Sequence, residues 1–126
     1  MTSTLREVLI VEDDPDIRVL IRVHLVNDPR LAVTGEASSA AEAIDAARSL
    51  RPDIIVLDHT IKGTTMGIEA APLLREVAPN AKILLFSAFD LAERAAAEPA
   101  IDAYLKKTEI VRLLTAVRVL LGLDDP

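Results

Sequence analysis

Short runs of aliphatic residues recur along the chain, and each is closed by a polar or charged residue. Val8-Leu9-Ile10-Val11 runs into Glu12-Asp13-Asp14, Ile54-Ile55-Val56-Leu57 into Asp58, and Ile83-Leu84-Leu85-Phe86 into Ser87. Ala103-Tyr104-Leu105 is shorter and runs into Lys106-Lys107. An unbroken apolar run of this length is what a strand buried on both faces needs. Leu31–Ala37 is more polar and is expected at a sheet edge.

Between these runs the apolar positions recur at helical spacing. Asp14 followed by Pro15 is a cap and a first helical position, and Ile17, Leu20, Ile21 and Leu25 give the helix that follows, to about Asn27, its core face. Ser39-Ala40-Ala41-Glu42 fits a capping box, and Ala43, Ile44, Ala47 and Leu50 form the stripe behind it. A third helix is expected over 68–77. Asp90 is placed as the cap of a short fourth helix over 91–98, which Pro99 limits and which has little to bury. Thr108 is placed as the cap of a last helix over 109–121, with Ile110, Leu113, Leu114, Val117 and Leu121 on one face and Gly122 as its stop. Strand and helix alternate five times with short connections. That pattern predicts an α/β domain over 1–126, a parallel sheet with helices on both faces.

Composition narrows the function. With 51% hydrophobic and 27% charged residues, the chain is globular rather than disordered. Aromatic residues are only 2%, so an aliphatic core is expected, and so few aromatics argue against base-stacking surfaces for single-stranded nucleic acid. A net charge of −6 argues against direct contact with nucleic acid or an anionic membrane. Without cysteine there is no disulfide and no thiolate chemistry. The stretch Met1–Glu7 lacks the apolar run of a signal peptide, and no apolar segment is long enough to span a bilayer, so a cytoplasmic location is expected.

In a parallel sheet all strand ends of one sense lie on one edge, where open α/β folds place their chemistry. That edge would gather Glu12, Asp13 and Asp14 from the first strand, Asp58 from the third, Ser87 from the fourth and Lys106 or Lys107 from the fifth. Crowded carboxylates repel one another and need a counter-charge; a hard divalent cation with oxygen ligands, Mg²⁺ in particular, supplies it. A carboxylate beside Mg²⁺ can attack phosphorus and form an acyl phosphate, and a hydroxyl and an ammonium suit the equatorial oxygens of the transition state.

With these four motifs in this order, Val8–Asp14, Ile54–Asp58, Leu84–Ala88 and Tyr104–Lys107, the chain resembles the receiver domain of two-component response regulators over nearly its full length. The resemblance implies a flavodoxin-like receiver fold, doubly wound, with five parallel strands in the order 2-1-3-4-5. It implies that Asp58 accepts a phosphoryl group from a histidine kinase or histidine phosphotransfer protein. Glu12 and Asp13 would form the acidic pocket, with Asp13, Asp58 and the backbone carbonyl of Thr60 as Mg²⁺ ligands. Ser87 would grip a phosphoryl oxygen, and Ser87 and Tyr104 would act as the switch. The family's lysine lies three residues after the switch aromatic, which selects Lys107 over Lys106.

The chain departs from the family pattern after Asp58. Proline usually stands four residues on and glycine eight; here those positions hold Lys62 and Met66, and Gly67 comes one residue late. The segment from Ser87 to Lys107 is also shorter than usual. Asp14 is assigned as a helix cap rather than a ligand, His59 as an exposed loop residue and His24 as structural. The expectation is a Mg²⁺-dependent phosphoacceptor that signals by protein contact rather than an enzyme. Its partner or homodimer face is the fourth helix, fifth strand and last helix. The alternatives are a phosphorylation-independent scaffold of the same fold and a Mg²⁺-dependent phosphatase with an aspartyl-phosphate intermediate.

Overall fold

The computed structural model describes residues 5–124. The stretch Met1–Thr4, which belongs to the leader-free N-terminus expected above, and the last two residues of the 1–126 span lie outside the described residues. The element order is β1 (Arg6–Val11), α1 (Pro15–Leu25), β2 (Leu31–Ala37), α2 (Ala40–Leu50), β3 (Ile54–Leu57), α3 (Gly67–Val77), β4 (Lys82–Ser87), α4 (Ala92–Ala97), β5 (Ala103–Lys106) and, after a 3₁₀ turn over Lys107–Arg112, α5 (Leu113–Leu121). The five strands form one sheet of order β2-β1-β3-β4-β5, and every pairing is parallel. The more polar β2 lies at an edge, as its pattern predicts.

The period-two alternation of the central strands sorts their side chains into two cores. Val8, Ile10, Ile54, Val56, Leu84 and Phe86 pack with Ile21 and Leu25 of α1 and Leu113 and Val117 of α5. Leu9, Val11, Ile55, Leu57, Ile83 and Leu85 face Ala43 and Ala47 of α2 and Ala70, Ala71 and Leu74 of α3. Every residue of Val8–Val11 and Ile54–Leu57 is at most 1% exposed, which is why neither run alternates. A charged group at the end of such a strand is held by a rigid element, and that positions the site.

The helix starts follow local chemistry where the predicted cap exists. Asp14 Oδ1 accepts the Asp16 amide at 2.9 Å, and Ser39 Oγ accepts that of Glu42 at 3.2 Å. Four expectations are corrected. Thr108 does not cap the last helix: it lies inside the 3₁₀ turn, and α5 begins only at Leu113 with no side-chain cap. The chain leaves β5 by this tighter winding while Lys107, its first residue, reaches back to the first and third strand ends. Asp90 is not the cap of α4: Leu91 holds that position, and the Asp90 carboxylate meets the Ala92 amide only at 3.4 Å. Leu20 is 46% exposed and outside the core, and α1 ends at Leu25 rather than near Asn27.

Candidate functional site

Four strand ends converge on the carboxyl edge of the sheet. Glu12 follows β1 directly; its amide donates to Ala37 O at 2.9 Å, which extends the β1–β2 pairing by one residue. Asp58 follows β3, and its amide donates to Val11 O at 2.9 Å. Both side chains are buried, Glu12 at 1% and Asp58 at 5% exposure, while Asp13 beside them is half-buried. One carboxylate oxygen from each of Glu12, Asp13 and Asp58 lies within 4.8 Å of the others.

Lys107 is the cation among them. Its Nζ lies 2.6 Å from Glu12 Oε1 and 3.1 Å from Asp58 Oδ2. Burial pushes the Glu12 carboxyl up to about 7, against the pull of Lys107 and of the Asp14 amide, while the Asp58 charge adds to the rise. Burial also raises Asp58, with Lys107 opposing. Burial disfavours the Lys107 ammonium, but its bond to Glu12 and the Asp58 charge prevail and hold its pKa above the ordinary value. The other Glu12 oxygen, Oε2, accepts the Asp14 amide at 3.1 Å. Oε1 is fully buried, and the Lys107 ammonium pairs with it at 2.6 Å.

Ser87 ends β4 fully buried, and its Oγ accepts the Phe89 amide at 3.2 Å. Tyr104, on β5, is half-buried. Its hydroxyl donates to Phe89 O at 2.6 Å and accepts the Leu91 amide at 3.2 Å, so it pins the loop between β4 and α4. Lys106 is not part of the ionic cluster; Lys107 is.

The loop after Asp58 is built differently from a free excursion. Thr60 is exposed, whereas the Lys62 amide donates to Ser38 O at 2.9 Å and Lys62 bridges to Ser39, tying this loop to the start of α2. His59 is not the exposed loop histidine expected from its position. It is half-buried, and its Nδ1 accepts the Ile68 amide at 3.2 Å, satisfying one of the free donors at the start of α3. Burial, helped by the Arg94 charge, lowers its pKa and favours the neutral ring this bond needs. Gly67 closes the loop against the site: its amide donates to His59 O at 2.7 Å, and a Cβ on it would stand 2.1 Å from Asp58 O. His24, on α1, bonds Leu20 O of its own helix at 2.9 Å and takes no part. Asp14 is the α1 cap.

This sheet order, with acidic groups at the ends of β1 and β3 and a lysine after β5, defines a receiver-type α/β domain. The family model for the response regulator receiver domain matches residues 8–118, and the chain belongs to that family. Among curated relatives it is 39% identical over 97 residues to a protein-glutamate methylesterase/protein-glutamine glutaminase of Nitrosospira multiformis. It is 32% identical over 104 residues to the response regulator protein VraR of Staphylococcus aureus. The alignments take in 76% and 81% of this chain but only 27% and 49% of those relatives, so the similarity covers a quarter to a half of their length. A solved LuxR-family two-component response regulator from Aurantimonas sp. SI85-9A1 superposes with a TM-score of 0.85 at 31% identity, over 94% of this chain and 86% of that one. The response regulator domain of Thermotoga maritima CheB, at 21% identity and a TM-score of 0.82 over 96% and 99%, shares the fold. Receiver domains act in two-component signalling, bind Mg²⁺ at an acidic pocket and interact with histidine kinases or phosphotransfer proteins. Among the described residues no helix is long and apolar enough to cross a membrane.

Proposed function

We propose that this receiver domain takes a phosphoryl group from a phosphohistidine donor onto Asp58 in a Mg²⁺-dependent reaction. The observation that carries the reading is the convergence of Glu12, Asp13 and Asp58 oxygens within 4.8 Å, with Lys107 3.1 Å from Asp58. The donor set fits Mg²⁺: all three side chains offer hard oxygen ligands close together, two of them on buried carboxylates. Asp13, Asp58 and the Thr60 carbonyl would hold the ion, with Glu12 behind them. Bound there, Mg²⁺ would neutralise charge on the phosphoryl oxygens.

In the transfer an Asp58 carboxylate oxygen forms a bond to phosphorus as the bond from phosphorus to the donor imidazole nitrogen breaks. The electron pair of that bond stays with the imidazole. Lys107 moves its ammonium from the Asp58 carboxylate towards the new phosphoryl oxygens, and the Ser87 hydroxyl supplies a donor for another. Burial of Asp58 limits access of water to the acyl phosphate. Ser87 and Tyr104 then act as the switch. Both already hold the β4–α4 loop through Phe89, so a change in the Ser87 bond reaches the Tyr104 hydroxyl through one residue.

The output is a protein contact on the face of α4, β5 and α5. A groove of about 300 Å³ between α4 and β5 is lined by Ala92, Ala95, Ala96, Ile101, Asp102, Ala103 and Tyr104, and Val111 in the 3₁₀ turn and Val119 on α5 are 81% and 72% exposed. A downstream partner or a second copy would bind there. The test is intact-mass spectrometry after incubation with acetyl phosphate. One phosphate adduct that needs Mg²⁺ and is absent from Asp58→Asn supports the reading. No adduct at saturating donor refutes it.

A further inference from the structure

Three contacts hold the backbone on either side of the Glu12–Asp13 peptide and the carbonyl of that peptide itself. The Glu12 amide is taken by Ala37 O, and Glu12 Oε2 accepts the Asp14 amide. The Glu12 carbonyl lies past the end of β1, where the strand ladder offers it nothing. It accepts instead from the guanidinium of Arg18, Nη1 to oxygen 2.7 Å, one turn into α1. The same guanidinium is held on its other side by the edge strand, with Nε 3.1 Å from Glu36 Oε1. The second Glu36 oxygen is taken by Arg22, one helical turn further along α1. A planar fork with donors aimed in two directions suits this role, and an ammonium cannot fill both directions at once.

We propose that Arg18, oriented by Glu36, is a positioning residue for the cation-binding edge. By holding the Glu12 carbonyl it sets the rotation of the peptide that carries Asp13, and it leaves Glu12 Oε1 as the oxygen aimed into the site. Arg18 touches neither the ion nor the phosphoryl group; it acts through Glu12 and Asp13. The inference rests on the Mg²⁺-dependent reading above and adds to it a residue outside the acidic cluster. Groups that orient metal ligands in this way change metal affinity by roughly tenfold or more when removed.

Calorimetric titration of Mg²⁺ into wild type, Arg18→Gln, Arg18→Lys and Glu36→Gln tests it, with thermal unfolding without cation as the control for the fold. The expected result is roughly tenfold weaker binding in Arg18→Gln. Arg18→Lys recovers part of the loss, since lysine can meet either the carbonyl or Glu36. Glu36→Gln weakens binding less than Arg18→Gln but in the same direction. Wild-type affinity in folded Arg18→Gln and Glu36→Gln overturns the inference and leaves the phosphoacceptor reading standing. Absence of Mg²⁺ binding by wild type itself overturns both. Should Arg18→Gln not fold, Glu36→Gln decides, because Glu36 is on the edge strand and its carboxylate pairs with both arginines.

Discussion

Gly67 packs so closely on Asp58 that a Cβ at position 67 would stand 2.1 Å from the Asp58 carbonyl oxygen and 2.7 Å from the α-carbon of His59. Both obstacles are backbone, so neither can swing away. The glycine is required for close approach, and it fixes how the altered loop returns to the site. Gly67→Ala should therefore destabilise the domain by about 1–3 kcal/mol, read by urea denaturation. It should also slow phosphate acceptance, because relief of the clash moves the Asp58 backbone. Unchanged stability would mean that the loop yields freely.

Lys107 is the only lysine in the ionic cluster of Glu12 and Asp58 among the described residues. Lys107→Met strands two buried carboxylates and should cost roughly 3 kcal/mol of stability at about pH 8. The loss should shrink at about pH 5.5, where Glu12, raised to about 7 by burial, can protonate. An equal loss at both pH values would show that packing rather than charge is at stake.

The raised carboxyls set a pH dependence. Glu12 moves from 4.5 to about 7 on folding, and Asp58 moves in the same direction. A group raised on folding contributes most below its unfolded value, and the contribution is lost as pH climbs through the folded value. Without divalent cation, the melting temperature should therefore fall between about pH 5 and pH 8. Mg²⁺ added at the upper end should recover it, because the ion binds only the folded site. Asp28 acts oppositely. Bonds from Arg30 and Arg118 hold its carboxyl well below the usual range, so its contribution is present above about pH 4 and lost progressively below it. A melting temperature indifferent to both pH and Mg²⁺ would contradict the burial of the acidic edge.

Tyr104→Phe deletes the two bonds from the hydroxyl to the β4–α4 loop. Only Ala95 of α4 is buried, so little else holds that helix. Amide hydrogen exchange over 89–97 should accelerate several-fold in the variant, while exchange in β1 and β3 stays unchanged. Exchange that stays slow over 89–97 would show that packing alone holds the segment.

Much of this was legible in the chain because the aliphatic runs leave little choice. Val8–Val11, Ile54–Leu57 and Ile83–Phe86 are buried on both faces, and the groups that follow them arrive together at one edge. Local pattern failed where a residue answers to something distant in sequence or to a winding it does not encode. Thr108 looks like a cap, but a 3₁₀ turn intervenes before α5. His59 bonds an amide nine residues on, and Arg18 bonds a carbonyl six residues back and a carboxylate on the edge strand. No short-range periodicity announces such contacts. Gly67 was visible as a glycine displaced from the family position; that the displacement still brings a glycine against Asp58 is a property of the folded loop.

The most direct test of the central claim traps the acyl phosphate where it forms. Borohydride reduces an aspartyl phosphate to homoserine, which marks the residue permanently. After treatment with acetyl phosphate and Mg²⁺, peptide sequencing by mass spectrometry should find homoserine at position 58 and nowhere else, and none when Mg²⁺ is chelated. Homoserine at position 13, or an unmodified Asp58 under saturating donor, would contradict the account.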